Sequence, residues 1–196
     1  MKLLVARHGE TPLNQQKKFY GSTDVSLDAV GEEQAAQLVR KLNHTKLDYI
    51  FCSGLMRAQQ TARPVVKQHD EAEVRMLTDL NEKGFGNWEG LNADEIQRSD
   101  PQNWERWLES PLTFTPPTVE SFMDFKYRIK QGLTEILATT ESEETALVVA
   151  HLGTLRVMHQ LLLATKTDFW AIHFDAGCYS SYMIHNHDTI LTALNV

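Results

Sequence analysis

The run Lys2-Leu3-Leu4-Val5-Ala6-Arg7-His8-Gly9-Glu10-Thr11 decides how this chain folds. Continuous apolar residues between two charges describe a strand buried on both faces, as the inner strands of a parallel sheet are. The strand ends abruptly at Arg7, and chemistry-bearing residues follow. The same grammar recurs twice. Tyr49-Ile50-Phe51-Cys52 ends at Ser53 and leads to Arg57, and Ala146-Leu147-Val148-Val149-Ala150 ends at His151-Leu152-Gly153. Helical spacing fills the intervals. Ala35, Leu38, Val39 and Leu42 form one apolar face behind Asp28 as N-cap, and Phe122, Phe125, Ile129, Leu133, Ile136 and Leu137 form another. A helix through Arg57 and Thr61 should kink or end at Pro64, which lacks the donor a helix interior uses. Glu73–Leu77 reads as a further strand, and the segments 178–184 and 189–194 as a closing hairpin around Asn186-His187-Asp188. Such alternation predicts an α/β fold, three-layer α/β/α with a mostly parallel central sheet.

The 196 residues suit a single domain, 1–196. Its middle, about 82–125, is rich in Phe, Trp, Gly and Pro and is expected to cap one end of the sheet. Lys and Arg number 19 against 26 Asp and Glu, a net charge of −7, so nucleic acid is not an expected partner. An anionic substrate must instead meet a local cluster of cations. The first residues are too few for a signal peptide, and no apolar run has the length of a membrane span, so a cytoplasmic monomer or homodimer without membrane partners is expected. Cys52 and Cys178, in apolar surroundings and without CxxC spacing, are expected to be buried free thiols. His185 and His187 share a strand face, but no third ligand has the spacing of a metal site.

In a parallel sheet the three strand ends share one edge, where α/β folds place ligands. Strand ends that start helices also present free backbone N–H groups to an anion. Two Arg and two His thus converge on one crevice, and unpartnered cations there call for a ligand with several negative charges. Phosphate fits, since guanidinium forks bind its oxygens in pairs.

Arg7-His8-Gly9-Glu10-Thr11 resembles the signature of the histidine phosphatase superfamily, in its phosphoglycerate-mutase-like branch. The resemblance extends through Asn14, through Gly21, Asp24, Leu27, Gly31, Gln34 and Ala35, and through Ser53 to Ala62. It continues in Leu80-Asn81-Glu82 with Phe85-Gly86-Asn87-Trp88-Glu89-Gly90, in Glu120-Ser121 and at His151. Leu152 and Val119 depart from it, each standing where the family commonly has Gly. The resemblance implies a phosphoglycerate mutase-like fold and hydrolysis of a small phosphorylated metabolite, without cofactor or metal. The lysine/tyrosine-rich insertion of the mutases is missing, and the length resembles the α-ribazole phosphatases of the family; a broad-specificity sugar or nucleotide phosphatase, mutase-type phosphotransfer and a non-catalytic phosphate-binding module are the alternatives.

The resemblance also implies roles. His8 becomes the phosphate-accepting nucleophile, Glu82 the proton donor in preference to Glu10 or Glu89, and His151 a catalytic partner. Arg7, Arg57 and Asn14 become phosphate ligands, with Gly21 and Leu152 at the substrate site. Arg156 reads as a structural ion pair. Phe85, Trp88, Trp104 and Trp107 are expected to edge the pocket.

Overall fold

The computed structural model describes residues 1–165, 167–185 and 188–196. The chain runs β1 (Lys2–Arg7), α1 (Pro12–Gln15), α2 (Ala29–Leu42), β2 (Tyr49–Ser53), α3 (Met56–Gln68) and β3 (Glu73–Leu77). Then come α4 (Ala93–Ser99), α5 (Pro101–Glu109), α6 (Phe122–Thr139), β4 (Thr145–Ala150), α7 (Leu152–Leu162), β5 (Tyr179–His185) and β6 (Asp188–Ala193). One sheet has the order β3-β2-β4-β1-β5-β6. β1, β4, β2 and β3 are mutually parallel, while β5 lies antiparallel to β1 and β6 antiparallel to β5. The mostly parallel three-layer expectation is met. Asn186 and His187 lie outside the described residues, and with them the hairpin tip and the His185/His187 pair. No helix among the described residues is long and apolar enough to cross a membrane.

Strand alternation divides the core in two. Leu3, Val5, Phe51 and Val148 face Phe125, Ile129, Leu133 and Ile136 of α6 and Leu155 and Met158 of α7. Leu4, Ala6, Ile50, Leu147 and Val149 face Leu38 and Leu42 of α2 and Ala58, Ala62 and Val65 of α3. Asp28 caps α2 by accepting from Gly31 N at 2.9 Å, as its place in the sequence predicts.

Of the two outcomes expected at Pro64, a kink or an end, the end does not occur: α3 runs on to Gln68. Ala62 and the fully buried Val65 flank the proline and pack under the sheet. Burying a Val contributes about 1.5–3 kcal/mol, comparable with the ~3 kcal/mol an interior Pro costs. Cys178 is not buried but half-exposed, and its Sγ accepts from Lys41 Nζ at 3.0 Å. Cys52 is buried, which pushes its thiol up to about 12.

A third apolar cluster stands apart from both faces of the sheet. Trp88, Ile96, Trp104 and Val119 form its buried centre, with Phe19, Phe85, Leu91 and Trp107 packed around them. Phe19 meets Phe85 and three Trp rings edge-on, at centroid distances of 5.2 to 6.4 Å. The turn before α6 carries its left-handed residue at Thr118 (φ 67°), so Val119 replaces glycine without strain and sinks its side chain into this cluster. Trp104→Ala should therefore cost about 3–5 kcal/mol in urea unfolding. Leu108→Ala, exposed on the same helix, should stay within about 0.5 kcal/mol. Equal costs would mean that the aromatic cluster carries no stability.

Candidate active site

The carboxyl edge of the sheet brings the expected residues together. His8 and His151 follow β1 and β4, which are paired in parallel, and their ring centroids lie 5.1 Å apart. Both rings are buried. His8 Nδ1 lies 2.7 Å from Gly9 O. A carbonyl only accepts, so Nδ1 carries the proton and Nε2 keeps its lone pair. Burial, then Arg57, then Arg7 hold the His8 pKa well below the usual histidine value, against the Gly9 carbonyl, which raises it. The ring is neutral at neutral pH.

The same logic fixes His151. Arg57 Nε donates to its Nδ1 at 3.2 Å, so Nε2 carries the proton and donates to Ser53 Oγ at 2.7 Å. Ser53 passes its own proton to Asn81 Oδ1 at 2.8 Å. Burial, then His8 and Arg57, keep the His151 pKa well below normal. Arg57 itself is fully buried. Its terminal nitrogens donate to Thr23 O at 3.0 Å and Gly21 O at 2.9 Å, and its plane lies 4.6 Å over the Tyr20 ring. Gly21 thus holds Arg57 through its carbonyl and does not itself line the cavity. A Cβ there would lie 1.7 Å from Lys83 O, so the two loops touch only because residue 21 is glycine. Arg7 contributes a buried Nε with no hydrogen-bond partner among the described residues. Asn14 accepts from Thr11 N, Thr11 Oγ1 and Tyr20 OH, all through Oδ1, which turns its NH₂ group to other work.

Many of the backbone amides at the strand ends are already taken. The N–H groups of His8, Gly9, Glu10 and Thr11 go to Ala150 O, Thr61 Oγ1, Gln34 Oε1 and Asn14 Oδ1. Those of Gly54, Leu55 and Met56 go to Asn81, Ser53 and Asp24 side chains. Gly153 N, at the start of α7, donates to Glu82 Oε2 at 2.9 Å. A local turn cap is nearer than any ligand, and such side-chain competition is invisible in strand patterns. An anion here meets side chains and the first turn of α7, where Leu152 N and Thr154 N have no hydrogen-bond partner among the described residues.

Glu82 reaches the cavity from the opposite wall, with Oε1 accepting from Lys83 N at 2.9 Å. A Cβ at Gly153 would lie 2.5 Å from Glu82 Oε1, so it is this glycine that the close approach needs. Leu152, beside it, forms part of the cavity wall. Glu89, the rival acid, is occupied elsewhere: it accepts from Ser22 N, Thr23 N, Thr23 Oγ1 and Phe85 N.

His8, Arg7, Asn14, Arg57 and Glu82 open on a cavity of about 330 Å³, whereas His151 is fully buried and does not itself line it. Of the four aromatic residues expected at its edge, Phe85 and Trp107 line it. Trp88 and Trp104 do not: they are buried in the aromatic cluster, where Trp88 Nε1 donates to Asp100 at 3.0 Å. Phe122 and Phe125 of α6 and Phe169 and Trp170 after α7 complete the apolar wall. Arg156 forms no ion pair among the described residues. It lies 5.3 Å over Phe169 and 5.4 Å over Trp170, donates to Ile172 O at 2.7 Å, and lines the cavity. Lys17 and Lys83 line it too, and neither pairs with a carboxylate among the described residues. Sequence spacing singled out neither lysine, because each sits in an irregular segment. No cluster of three or more His, Cys, Asp or Glu suited to a metal ion occurs among the described residues.

Known proteins share this architecture. The chain is 31% identical to the adenosylcobalamin/α-ribazole phosphatase of Escherichia coli, over 100% of this chain and 96% of that one. It is 28% identical to phosphoserine phosphatase 1 of Hydrogenobacter thermophilus, over 100% of this chain and 92% of that one. The crystal structure of the α-ribazole phosphatase from Shigella flexneri superposes with a TM-score of 0.93 at 30% identity, covering 100% of this chain and 96% of the other. Residues 3–196 match the family model of the histidine phosphatase superfamily (branch 1). The chain belongs to that superfamily, and its reaction class is the hydrolysis of phosphoric monoesters.

Proposed function

We propose that this enzyme hydrolyses a small phosphomonoester with a flat, largely apolar leaving group, through a phosphohistidine on His8, in the cytoplasm. α-Ribazole 5′-phosphate, an intermediate on the way to cobalamin, is the first candidate. The observation that carries the mechanism is the commitment of His8 Nδ1–H to Gly9 O. It leaves Nε2 as the one ring nitrogen with an available lone pair, in a cavity that Arg7 and Arg57 also line.

Nε2 attacks phosphorus as the bond to the leaving oxygen breaks, and Glu82 delivers its proton to that oxygen. Water then attacks the phosphohistidine. Its proton passes to Glu82, the P–N bond breaks, and inorganic phosphate leaves with the histidine neutral again. Arg7, Arg57, Asn14 and His151 hold the equatorial oxygens. To hold an oxygen, His151 must release Nδ1 from Arg57 Nε and carry a proton there, which the negative charge of the phosphoryl group favours. The residue types beside the phosphoryl position supply positive charge without a metal ion.

The leaving-group wall of Phe85, Trp107, Phe122, Phe169 and Trp170 supports a flat, apolar group. The relatives named for α-ribazole point the same way. A second reading rests on Lys83. Its ammonium lies 4.8 Å from the Phe85 ring, and burial lowers its pKa to about 8, against the pull of Glu120 and Glu82. An ammonium unpaired in the cavity favours a leaving group with its own negative charge, and a phosphoserine phosphatase stands among the relatives.

Rapid-quench labelling with a ³²P-labelled ester in excess EDTA should trap an acid-labile, base-stable phosphoenzyme, and His8→Ala should trap none. Label persisting on His8→Ala would sink the mechanism. For substrate, kcat/KM for α-ribazole 5′-phosphate should exceed that for 3-phosphoglycerate, and Trp107→Ala should narrow the gap by about 1–3 kcal/mol. The second reading gives the reverse order and a pH signature. Lys83 is charged below about 8 and neutral above it. Turnover of 3-phosphoglycerate then falls as pH rises from about 7 to about 9, and Lys83→Met flattens that profile.

A further inference from the structure

We infer that Arg128, which does not line the cavity, is a positioning residue that aims Glu82. The inference rests on the proton-donor role proposed for Glu82. Nothing in the local backbone fixes that residue. The single turn before it ends at Leu80, and residues 81–84 belong to no helix or strand. Asn81 Oδ1 accepts from Ser53 Oγ and Gly54 N, and Thr154 Oγ1 donates to Leu80 O and Asn81 O, but the bond on the Glu82 carbonyl comes from α6.

Arg128 spends all its donors on this task. Nη1 donates to Asp79 O at 3.0 Å and Asn81 O at 2.6 Å, and Nη2 to Glu82 O at 2.9 Å. The remaining two bonds, from Nε at 2.7 Å and Nη2 at 2.9 Å, grip the two oxygens of Glu120. Glu120 closes the loop from the other side: Oε2 accepts from Gly84 N at 2.9 Å, and its own N–H donates to Gly84 O at 3.0 Å. One ion pair thus binds the chain before, at and after Glu82. Arg128 also lies 4.9 Å over the ring of Phe125, which is buried in the core beside Ile129. The rigid scaffold is therefore wired to the acid through a guanidinium. With its carbonyl fixed by Arg128 and its carboxylate by Gly153 N, Glu82 has its reach into the cavity defined at both ends.

A lysine cannot do this. It would keep a charge beside Glu120, but as a point donor it cannot span three carbonyls and a carboxylate in one plane. Arg128→Lys should then leave the phosphate ligands undisturbed and spoil only the aim of the proton. The test compares an alkyl phosphate, whose leaving oxygen needs a proton, with an aryl phosphate of an acidic phenol, which needs little.

Arg128→Lys should lower kcat on the alkyl ester roughly 10- to 100-fold, the scale of a misplaced catalytic group. The aryl ester should change less than about 3-fold, with KM unchanged on both. In a Glu82→Gln background the same substitution should add no further loss on the alkyl ester, because the group it positions is gone. Equal losses on both esters, or a full additional loss in that background, overturn the proposal while Glu82→Gln alone still discriminates between them. If Glu82→Gln itself slows both esters equally, the acid role falls and this inference with it. Arg128→Gln combined with Glu120→Gln, which leaves no buried charge unpaired, must give the same ester discrimination should the lysine variant fail to fold. If neither folds, Arg128 is a folding residue and the proposal is wrong.

Discussion

A guanidinium taken fully out of water is the constraint on which the rest of this structure depends. Arg57 is wholly buried, and no carboxylate pairs with it among the described residues. Its partners are two carbonyls, an imidazole nitrogen and the face of Tyr20. Removing a charge from water costs several kcal/mol unless dipoles or counter-charges replace the hydration. The Gly21–Thr23 loop, the tautomer of His151 and the stacking of Tyr20 are all parts of that replacement. Burial pulls the Arg57 pKa down, yet an arginine stays charged. The site is thus built around a positive charge that only an anion completes.

The same field explains why two histidines can lie side by side. Each would be repelled as a cation by the other and by Arg57 and Arg7, and each is desolvated. Neutrality is enforced, and hydrogen bonds to Gly9 O, Ser53 Oγ and Arg57 Nε then choose which nitrogen bears the proton. Electrostatics sets the charge state and geometry sets the direction of the lone pairs. The orphaned Nε of Arg7 fits this frame. An unpaired buried donor is costly in a folded protein, and Arg7 lines the same cavity as His8.

Much of this was legible in the sequence, for identifiable reasons. Strands buried on both faces read as unbroken apolar runs, so β1, β2 and β4 and the residues at their ends stood out. Burial flanking a proline is a tertiary matter, and Pro64 misled for that reason. Trp88 and Trp104 misled because a Trp in an irregular segment looks alike whether it packs inward or lines a pocket. The amides at the strand ends read as free because the side chains that claim them, such as Gln34 and Asn81, come from distant segments. Lys83, Arg128 and Arg156 were passed over or misjudged because no local periodicity marks them. Their partners lie on carbonyls and rings brought near only by the fold.

The aromatic cluster formed by Phe19, Trp88, Ile96, Trp104 and Val119 has its own interior, distinct from the two cores that sandwich the sheet. A region with a separate core can open by itself, at a free energy below that of global unfolding. Its amides would then exchange with solvent as one cooperative group, ahead of those in β1 and β4. Phe85 and Trp107 belong both to this cluster and to the cavity wall, so such an opening would reach the cavity from the side away from the sheet cores. Division of the interior into separate cores thus lets one wall of the cavity loosen at a lower free energy than the strands that carry His8 and His151.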